Sequence, residues 1–470
     1  MVYTISLKEI IIWDTNKVVV VVDLAEGRGK CTRRFAQTVN RNARSLSSPE
    51  TTVQYTARIV FQNAKKAVKS QSNLKKFSVA IIGGGAAGIA AAISAKRKGD
   101  SVVVCEKMPK IGKKILISGN GRCNLFNEDF SAAYYNTAAK TLLKSVFSRF
   151  GKDKIVDFFT GLGLEMYSKD GRVFPITNQS SSVLKALEME LERLGVSIEP
   201  DFEVTDISGP EPGFTLKSKK GAAVECDKLI ITGGGKTYPA LGSDGNTYEL
   251  AKHLGHTIIS PVPSAVPLTT KDPLCHLLQG QKIFADARAM INGKIESEAQ
   301  GELLFTKYGL SGTAILDISE EISIAIHRRH INDVVVSVDM IPFLSGADLQ
   351  NELARRIKTG FAAEDFFTGL LPNKFSAALG NLREERDIHK MVNALKDRRF
   401  KITGTRGWNE AEFTGGGVDI NEIRENTLES KLKKGVYFAG EVLDVGGKRG
   451  GYHLAWAWAS GFIAGLTGRG

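Results

Sequence analysis

A glycine-rich turn gives the clearest chemical signal in this sequence. Gly83, Gly85 and Gly88 have the spacing G-x-G-x-x-G, and Glu106 follows 23 residues after the first of them. The first glycine permits a tight turn, the second lets a pyrophosphate approach the backbone, and the third lets a helix pack closely on a strand. An acid at the position of Glu106 can accept hydrogen bonds from both hydroxyls of a ribose. The spacing therefore predicts a dinucleotide-binding site.

Three elements must surround this turn if it is to hold a nucleotide. The sequence predicts a strand over 78–82, a helix over 86–98 and a second strand over 101–105 that leads to Glu106. The helix would begin at Ala86 and Ala87, where backbone N–H groups would face the phosphates. The alternative is a glycine turn that serves the fold alone.

The segment that follows Glu106 contains a second glycine-rich loop. Backbone N–H groups in such a loop can bind anions, and an arginine beside it can contact a phosphate or the edge of a flavin. The cysteine in this segment is more readily interpreted as a small buried thiol than as a redox group. The candidate cofactor contacts are Lys107, Gly119, Asn120, Gly121, Arg122, Cys123 and Asn124.

A third glycine turn follows a strand predicted over 228–232. Gly233 and Gly234 are its candidate cofactor contacts, and Val204, in the strand predicted over 202–208, is another. A turn of this kind can bring the chain back to a cofactor held at the first glycine turn. A purely structural turn is the alternative.

The carboxyl end of the chain carries the last candidate contacts. Gly440 and Glu441 follow an apolar strand, and Gly451, Tyr452 and His453 precede an apolar helix over 454–466. The acid could accept hydrogen bonds from ribityl hydroxyls, and the positive end of the helix dipole would stabilise an anionic reduced flavin. Tyr452 and His453 could donate protons there or could simply pack, so no catalytic residue is assigned.

The positive charge of the chain is concentrated at its amino end. The net charge is +12, and residues 1–76 hold 14 Lys/Arg against 5 Asp/Glu, whereas the remaining 394 residues hold 49 against 46. A folded body that is nearly balanced in charge argues against a nucleic-acid partner. We therefore expect a small-molecule substrate and no nucleic acid; the oligomeric state is not determined.

The cysteine and histidine spacing excludes several other classes of protein. The five cysteines form no C-x-x-C pair, which argues for a reducing compartment without a disulfide framework. His253, His256 and His276 lack ligand spacing with carboxylates, so no metal site is predicted. No apolar run has the length of a membrane span.

The first 75 residues differ in composition from the rest of the chain. Lys30 to Lys75 contains ten Lys/Arg and one acid, Glu50, among many Ser, Asn, Gln and Thr residues. This composition is typical of an organelle transit peptide, so import into a plastid is expected, with a mitochondrion as the second choice. The alternative is a disordered basic tail or a mistaken start site, and the protein would then be expected in the cytoplasm. Residues 1–75 are placed outside the main fold.

The rest of the sequence predicts an α/β fold with an insertion. Residues 76–265 and 405–470 would form a Rossmann-like FAD-binding domain, 266–342 an inserted β-rich, barrel-like domain, and 343–404 a helical subdomain. Ser180 to Ser182 are predicted N-caps of a helix over 181–194. Further helices are predicted over 138–150, 153–161, 246–254, 346–358, 363–370, 374–382 and 384–397, and strands over 196–199, 213–218, 281–291, 302–305 and 334–338.

From residue 76 to 470 the chain resembles the HI0933-like family of FAD-dependent oxidoreductases, which includes the bacterial BaiN/YhiN-type flavoproteins. Several blocks in one order are more specific than a single glycine motif, and the resemblance implies an FAD domain with an inserted β-barrel and helical module. The matching blocks are Gly83–Gly88, Gly112–Asn124, Gly171–Pro175, Gly242–Gly255, Gly301–Leu316, Phe413–Val418 and Gly440–Gly461.

The chain departs from the family pattern at two places. Phe126 stands where the family usually has Thr, and Lys448 and Arg449 stand in a stretch where the family typically carries acids. The charge of the preferred substrate is therefore left open by the resemblance.

The sequence as a whole predicts an FAD-dependent oxidoreductase. Hydride transfer through the flavin to an electron-poor double bond is the expected reaction. NAD(P)H would be a transient electron donor, because no second complete G-x-G-x-x-G unit is present. A flavin-dependent RNA-modifying enzyme and a non-catalytic flavoprotein remain as alternatives.

Overall fold

A computed structural model describes residues 75–209, 212–384 and 387–466, together with the backbone of three strands before residue 41. The chain divides into two compact units, Met1–Lys75 and Lys76–Gly470. The first unit contains an antiparallel sheet in the order β1-β2-β3, formed by β1 (Tyr3–Asp14), β2 (Lys17–Glu26) and β3 (Lys30–Asn40). Most of the segment with transit-peptide composition, residues 41–74, lies outside the described residues, and the import signal stays a prediction.

The second unit contains the remaining strands. In chain order they are β4 (Lys76–Ile82), β5 (Val102–Cys105), β6 (Phe126–Asn127), β7 (Met166–Lys169), β8 (Arg172–Pro175), β9 (Ser197–Glu199), β10 (Val204–Ser208), β11 (Phe214–Ser218), β12 (Ala223–Ile231), β13 (Ile258–Ser264), β14 (Leu268–Thr270), β15 (Lys282–Ile291), β16 (Lys294–Thr306), β17 (Gly309–Ser311), β18 (Val334–Asp339), β19 (Arg398–Thr405), β20 (Phe413–Val418) and β21 (Val436–Phe438).

Its α-helices are distributed between the sheet, the barrel and a helical segment. In chain order they are α1 (Ala86–Arg97), α2 (Lys113–Gly121), α3 (Lys140–Arg149), α4 (Lys152–Gly161), α5 (Ser180–Arg193), α6 (Asn246–His253), α7 (Pro273–Leu277), α8 (Thr313–Ser323), α9 (Gly346–Lys358), α10 (Lys374–Ala378), α11 (Gly380–Glu384), α12 (Ile388–Lys396) and α13 (Tyr452–Gly465).

A seven-stranded sheet forms the centre of the dinucleotide-binding part. Its order is β10-β11-β12-β4-β5-β9, and β21 pairs with β12 outside this path. The strands β21, β12, β4, β5 and β9 run parallel to one another, whereas β11 is antiparallel to β12. The turns that follow β12, β4 and β5 therefore meet at one edge of the sheet, which is where a nucleotide binds in open α/β sheets.

The last helix packs directly on the first one. An added Cβ at Gly461 would overlap the carbonyl oxygen of Ala87, and one at Gly465 would overlap that of Ala91. Only glycine allows the two backbones to approach so closely, since any side chain would separate the helices. This contact brings the carboxyl end of the chain to the Gly83 turn.

The inserted part is a closed barrel with helices around it. The six strands follow the order β14-β17-β16-β15-β18-β19. Buried apolar side chains form two clusters in the described residues, one from the sheet part and one that runs from Leu268 to Ile402 in the barrel and helices. The predicted fold class, a Rossmann-like domain split by an inserted β-barrel and helical module, is confirmed.

Several local expectations differ from the structure. Strand β19 occupies 398–405, where a helical subdomain was expected as far as 404, and its alternating buried residues face the barrel core. Helix α8, which continues into a π-helical turn over Ile324–Arg328, was not predicted within the β-rich segment. Residues 363–370 contain only the 3₁₀ turn Ala363–Asp365.

The predicted cap of α5 was also wrong. The helix begins at Ser180 and its N-cap is Gln179, whose side chain makes no capping hydrogen bond. The Ser180 hydroxyl instead donates to the Leu116 carbonyl oxygen at 2.7 Å, because Ser180 is buried against α2. The Ser180 hydroxyl therefore bonds to another helix instead of capping its own, as the run of serines had suggested.

Candidate functional site

The Gly83 turn joins β4 to α1 and is shaped by three different constraints. Gly83 has a φ of +102°, and an added Cβ would lie 2.8 Å from the Thr232 carbonyl oxygen. An added Cβ at Gly88 would overlap the Gly83 carbonyl oxygen, whereas one at Gly85 would meet open space. The first and third glycines are therefore required by the fold, and the space in front of the second is free for a ligand.

Glu106 is fixed against this turn by two backbone N–H groups. Its Oε2 accepts from Gly84 N at 2.7 Å and its Oε1 from Met108 N at 2.8 Å. Burial raises the pKa of Glu106, while the two N–H groups and the lysines Lys107 and Lys113 oppose that rise. Each carboxylate oxygen keeps a further acceptor position, so the side chain is oriented to receive hydroxyl donors.

A cleft opens beside the turn and Glu106. It encloses about 640 Å³ of empty space, part of it open to solvent, and Phe202, Val204 and Leu241 form its apolar part. Lys107, Lys110, Lys113 and Lys114 also line it, as do Gly233 and Gly234. The amino end of α1 has no side-chain cap. Free helix N–H groups, lysines and an apolar wall suit the phosphates and the base of a dinucleotide, so the residues present fit FAD.

A second group of residues surrounds Glu441. Its Oε2 lies 2.8 Å from Lys114 Nζ, and its Oε1 accepts from Thr414 N at 2.9 Å. Lys114 also donates to Thr237 Oγ1 at 2.6 Å. Burial acts to raise the pKa of Glu441, but Lys114, with smaller contributions from His453 and the Thr414 amide, brings that pKa below its ordinary value. The ionised pair ties together α2, the turn after β12, and β20.

Helix α13 begins beside this pair. Gly451 is its N-cap with a φ of +107°, no side chain caps the helix, and an added Cβ would lie 2.6 Å from the Phe126 carbonyl carbon. His453 stacks on Phe413 with the ring centroids 3.6 Å apart, and its Nε2 lies 2.7 Å from the Gly447 carbonyl oxygen. Burial lowers the pKa of His453 to about 4, so the ring is neutral at physiological pH.

The sequence comparisons agree with this geometry. The profile of the HI0933-like protein Rossmann domain matches residues 77–467. The chain belongs to this family. This confirms the resemblance found in the sequence, and with the cleft described above it makes the protein a flavin-dependent oxidoreductase.

Three curated relatives match the chain over nearly their whole length. The 3-dehydro-bile acid delta(4,6)-reductase of Clostridium scindens is 36% identical over 402 residues, which cover 82% of this chain and 98% of the relative. The ribosomal RNA dihydrouridine synthase of Escherichia coli K12 is 32% identical and that of Haemophilus influenzae 29%, over 82% of this chain and 96% and 97% of the relatives respectively.

The loop after α2 is placed differently from the expectation. Helix α2 covers Lys113–Gly121 with non-helical backbone angles at Ser118, Gly119 and Asn120. The Arg122 guanidinium lies 4.8 Å from the centre of the Phe174 ring and donates to the Gly119 carbonyl oxygen at 3.3 Å. Arg122 does not line the cleft described above, so the structure does not bring its guanidinium to the Gly83 turn.

The remaining residues of this loop turn inward. Cys123 is fully buried, and burial raises the pKa of its thiol to about 12, which leaves it a packing group. Asn124 Oδ1 is buried without a hydrogen-bond partner among the described residues, and an added Cβ at Gly451 would lie 3.0 Å from it. Asn124 therefore reaches the start of α13.

Tyr452 packs within a cluster of aromatic side chains. Its ring stacks on Tyr134 with centroids 4.8 Å apart, and its carbonyl oxygen accepts from Tyr135 OH at 2.7 Å. Burial raises the pKa of Tyr452 to about 12. Packing thus accounts for Tyr452, and the half-buried ring of His453 is likewise held by its stacking on Phe413.

The basic residues that depart from the family pattern are engaged by neighbours. Arg449 donates from Nε and Nη2 to the two Glu412 oxygens at 2.9 and 3.0 Å, and its Nη1 lies 3.4 Å from Asp317 Oδ1. Lys448 Nζ lies 5.6 Å from the centre of the Tyr134 ring. Arg449 therefore joins the loop before α13 to α8, and its charge is balanced there.

Sequence reasoning missed the residues that hold the second group together. Lys114, Thr237 and Thr414 were not singled out, although Lys114 and Thr414 lie inside the blocks that carry the family resemblance. Their partners are distant in the chain, and no local pattern indicates which lysine meets Glu441. Within the described residues no group of three or more metal-ligating side chains occurs, and no helix is long and apolar enough to cross a membrane.

Proposed function

We propose that the protein reduces a carbon–carbon double bond conjugated to a carbonyl group, with FAD as hydride carrier and NAD(P)H as electron source. The observation that carries the proposal is the chemistry common to the curated relatives. A delta(4,6) double-bond system next to a 3-keto group and the C5–C6 bond of uridine next to C4=O are both electron-poor alkenes. Addition of hydride to the carbon β to the carbonyl reduces either of them.

The chain offers residues for each part of the cofactor. The Gly83 turn and the start of α1 would hold the pyrophosphate, Glu106 the ribose, and Glu441 with the start of α13 the flavin end. FAD bound there and reduced by NAD(P)H would supply the hydride. Since only one complete dinucleotide motif is present, NAD(P)H would bind transiently.

Reduction of such an alkene also needs a proton at the carbon next to the carbonyl, and we propose Tyr238 as the residue that supplies it. Tyr238 has a φ of +57°, and its amide donates to the Trp408 carbonyl oxygen at 3.1 Å. Its hydroxyl has no hydrogen-bond partner among the described residues. Burial, followed by the charge of Glu412, raises the pKa of Tyr238, so the hydroxyl keeps its proton at neutral pH.

The position of Tyr238 supports this role. The negative charge of Glu412 contributes to the raised pKa of Tyr238, and Glu412 itself pairs with Arg449. Glu412 directly precedes Phe413, the residue that stacks on His453. Tyr238 therefore lies near the segment that joins β19 to β20, and we propose that this places it on the flavin side of the site. His453 is a poorer proton donor, because its ring is neutral and its Nε2 is engaged by Gly447.

A small organic enone is the substrate class we favour, since the residues after 76 are nearly balanced in charge. Uridine in ribosomal RNA is the second candidate, favoured by two relatives and by cation–aromatic pairs that could stack bases. These pairs are Lys236 with Trp408 at 5.2 Å, Arg406 with Tyr308 at 4.6 Å and Arg122 with Phe174 at 4.8 Å.

The experiment is a pair of rapid-mixing measurements on the purified full chain. The flavin spectrum is followed first with NADH and NADPH, and the reduced protein is then mixed with cyclohexenone, a 4,6-dien-3-one steroid, or unmodified ribosomal RNA. We expect at least one of these compounds to reoxidise the reduced flavin faster than it is reoxidised in oxygen-free buffer alone. A protein that binds FAD but is reoxidised by none of them would be a non-catalytic flavoprotein or act on another bond.

Tyr238→Phe tests the proton donor, with Tyr452→Phe as the matched control. We expect Tyr238→Phe to slow reoxidation by the enone about 100-fold or more while FAD content and reoxidation by ferricyanide are unchanged. Tyr452→Phe should stay within a few-fold of the wild type. Equal rates for the two variants would remove Tyr238 from the reaction.

We further propose import into a plastid, with a mitochondrion as the second choice. The basic, acid-poor composition of Lys30–Lys75 supports this proposal. The test is microscopy of two fluorescent fusions in plant cells, one carrying residues 1–75 and one starting at residue 76. Diffuse cytoplasmic signal from the first fusion would contradict it.

A further inference from the structure

We propose that the hydroxyls of Ser243 and Thr247 bind the adenosine end of the dinucleotide. This inference rests on the proposed use of FAD. Both residues line the cleft beside the Gly83 turn, and both are buried, at 6% and 1% exposure. Neither Ser243 Oγ nor Thr247 Oγ1 has a hydrogen-bond partner among the described residues. Buried hydroxyls are nearly always paired, so two unpaired ones in one cleft indicate a ligand.

The glycine turn after β12 brings these hydroxyls to the cleft. An added Cβ at Gly233 would lie 2.7 Å from Thr247 Oγ1, and one at Gly234 would lie 3.1 Å from Ser243 Oγ. An added Cβ at Gly83 would in turn lie 2.9 Å from the Gly233 Cα. The two hydroxyls thus sit on the turn that directly adjoins the dinucleotide motif, and any side chain at Gly233 would displace Thr247.

The charges around the cleft indicate which part of the ligand these hydroxyls meet. Lys107, on their side, is already paired with Asp244 at 2.5 Å and lies 3.3 Å from Asn246 Oδ1. Lys110 and Lys113 line the same cleft and have no ion-pair partner among the described residues. Phosphates should therefore lie toward Lys110, Lys113 and the start of α1, and the uncharged adenosine toward Ser243 and Thr247.

The test is a titration of the flavin-free full-length protein with FAD, followed by quenching of flavin fluorescence, and with ADP, followed by calorimetry. Ser243→Ala and Thr247→Val are each compared with a matched control. Ser218→Ala and Thr368→Val also remove a buried hydroxyl without a partner, but neither residue lines the cleft. We expect each cleft variant to raise the Kd for FAD and ADP about tenfold, the two controls to change it less than twofold, and the thermal midpoint of the flavin-free protein to stay unchanged.

The outcomes separate this inference from the proposed function. If FAD and ADP bind to Ser243→Ala and Thr247→Val as tightly as to the wild type, the hydroxyls are not ligands and the inference is wrong, whatever the activity. If ADP binds to the wild type but FAD does not, the flavin proposal fails, while the ADP titrations still decide the role of the hydroxyls. If the wild type binds neither nucleotide, both are overturned.

Discussion

The two ends of the site are built in different ways. The cleft at the Gly83 turn is formed largely by backbone, with Gly83, Gly88 and Glu106 all within one strand–helix–strand unit. The region around Glu441 is instead held by side chains, because Lys114 and Thr414 reach it from α2 and β20. A backbone site tolerates no added volume at fixed positions, whereas a side-chain site depends on paired charges. The first can be recognised in a short sequence window and the second cannot.

The largest expected effect contrasts two glycines of the same motif. Gly88→Ala should prevent folding or lower the free energy of unfolding by more than about 3 kcal/mol, because the new Cβ would overlap the Gly83 carbonyl oxygen. Gly85→Asp should fold normally, since its Cβ meets open space, yet lose FAD to steric and charge conflict with the pyrophosphate. Thermal unfolding and the flavin-to-protein absorbance ratio measure both. Full flavin in Gly85→Asp would refute the placement of the site.

The next effect tests the side-chain region. Glu441→Ala leaves Lys114 without its carboxylate partner, although the hydrogen bond to Thr237 remains, and should cost about 2 kcal/mol of stability, with loss of bound flavin. The cost falls below that of a fully buried pair because the Lys114 side chain is 32% exposed. Adding Lys114→Met should restore part of the stability but not the flavin. If the double variant binds FAD normally, Glu441 does not contact the cofactor.

A smaller effect concerns the dependence of stability on pH near α13. The folded pKa of His453, about 4, lies below its ordinary value of 6.5, so between these pH values the unfolded chain binds the proton more readily. The contribution of neutral His453 to the free energy of unfolding is therefore fully present above pH 6.5 and is lost as the pH falls toward 4. His453→Gln should flatten the loss of stability in this window by up to about 1.4 kcal/mol per pH unit. Denaturant unfolding at several pH values checks this, and parallel stability curves for the two proteins would contradict the lowered pKa of His453.

The smallest effect is expected at Arg122. Its guanidinium stacks on Phe174 at the surface, so Arg122→Ala should cost about 0.5–1 kcal/mol and change the Kd for FAD less than twofold. Fluorescence titration and thermal unfolding provide the measurements. A tenfold weaker affinity would restore the phosphate contact that the sequence suggested and would show that this side chain moves when FAD binds.

The sequence predicted elements best where local signals and tertiary packing agree. Helix α1 and strand β5 lie within one residue of their expected bounds, because the glycine turn and the apolar runs already specify them. Helix α8 and strand β19 were missed, since both lie in segments whose general character suggested the other type of structure. The cap of α5 was misplaced because Ser180 found a partner on α2 instead.

Short patterns in a fixed order already specify the dinucleotide motif, the interrupted α/β fold and the family. Folding brings Lys114 to Glu441 and places Arg449 beside Glu412 and Asp317. It also leaves the Ser243 and Thr247 hydroxyls without a hydrogen-bond partner among the described residues. These facts depend on contacts between side chains far apart in the chain. The position of each polar group in the folded chain therefore sets whether it finds a partner, and the glycine turn after β12 is where the two hydroxyls are left without one.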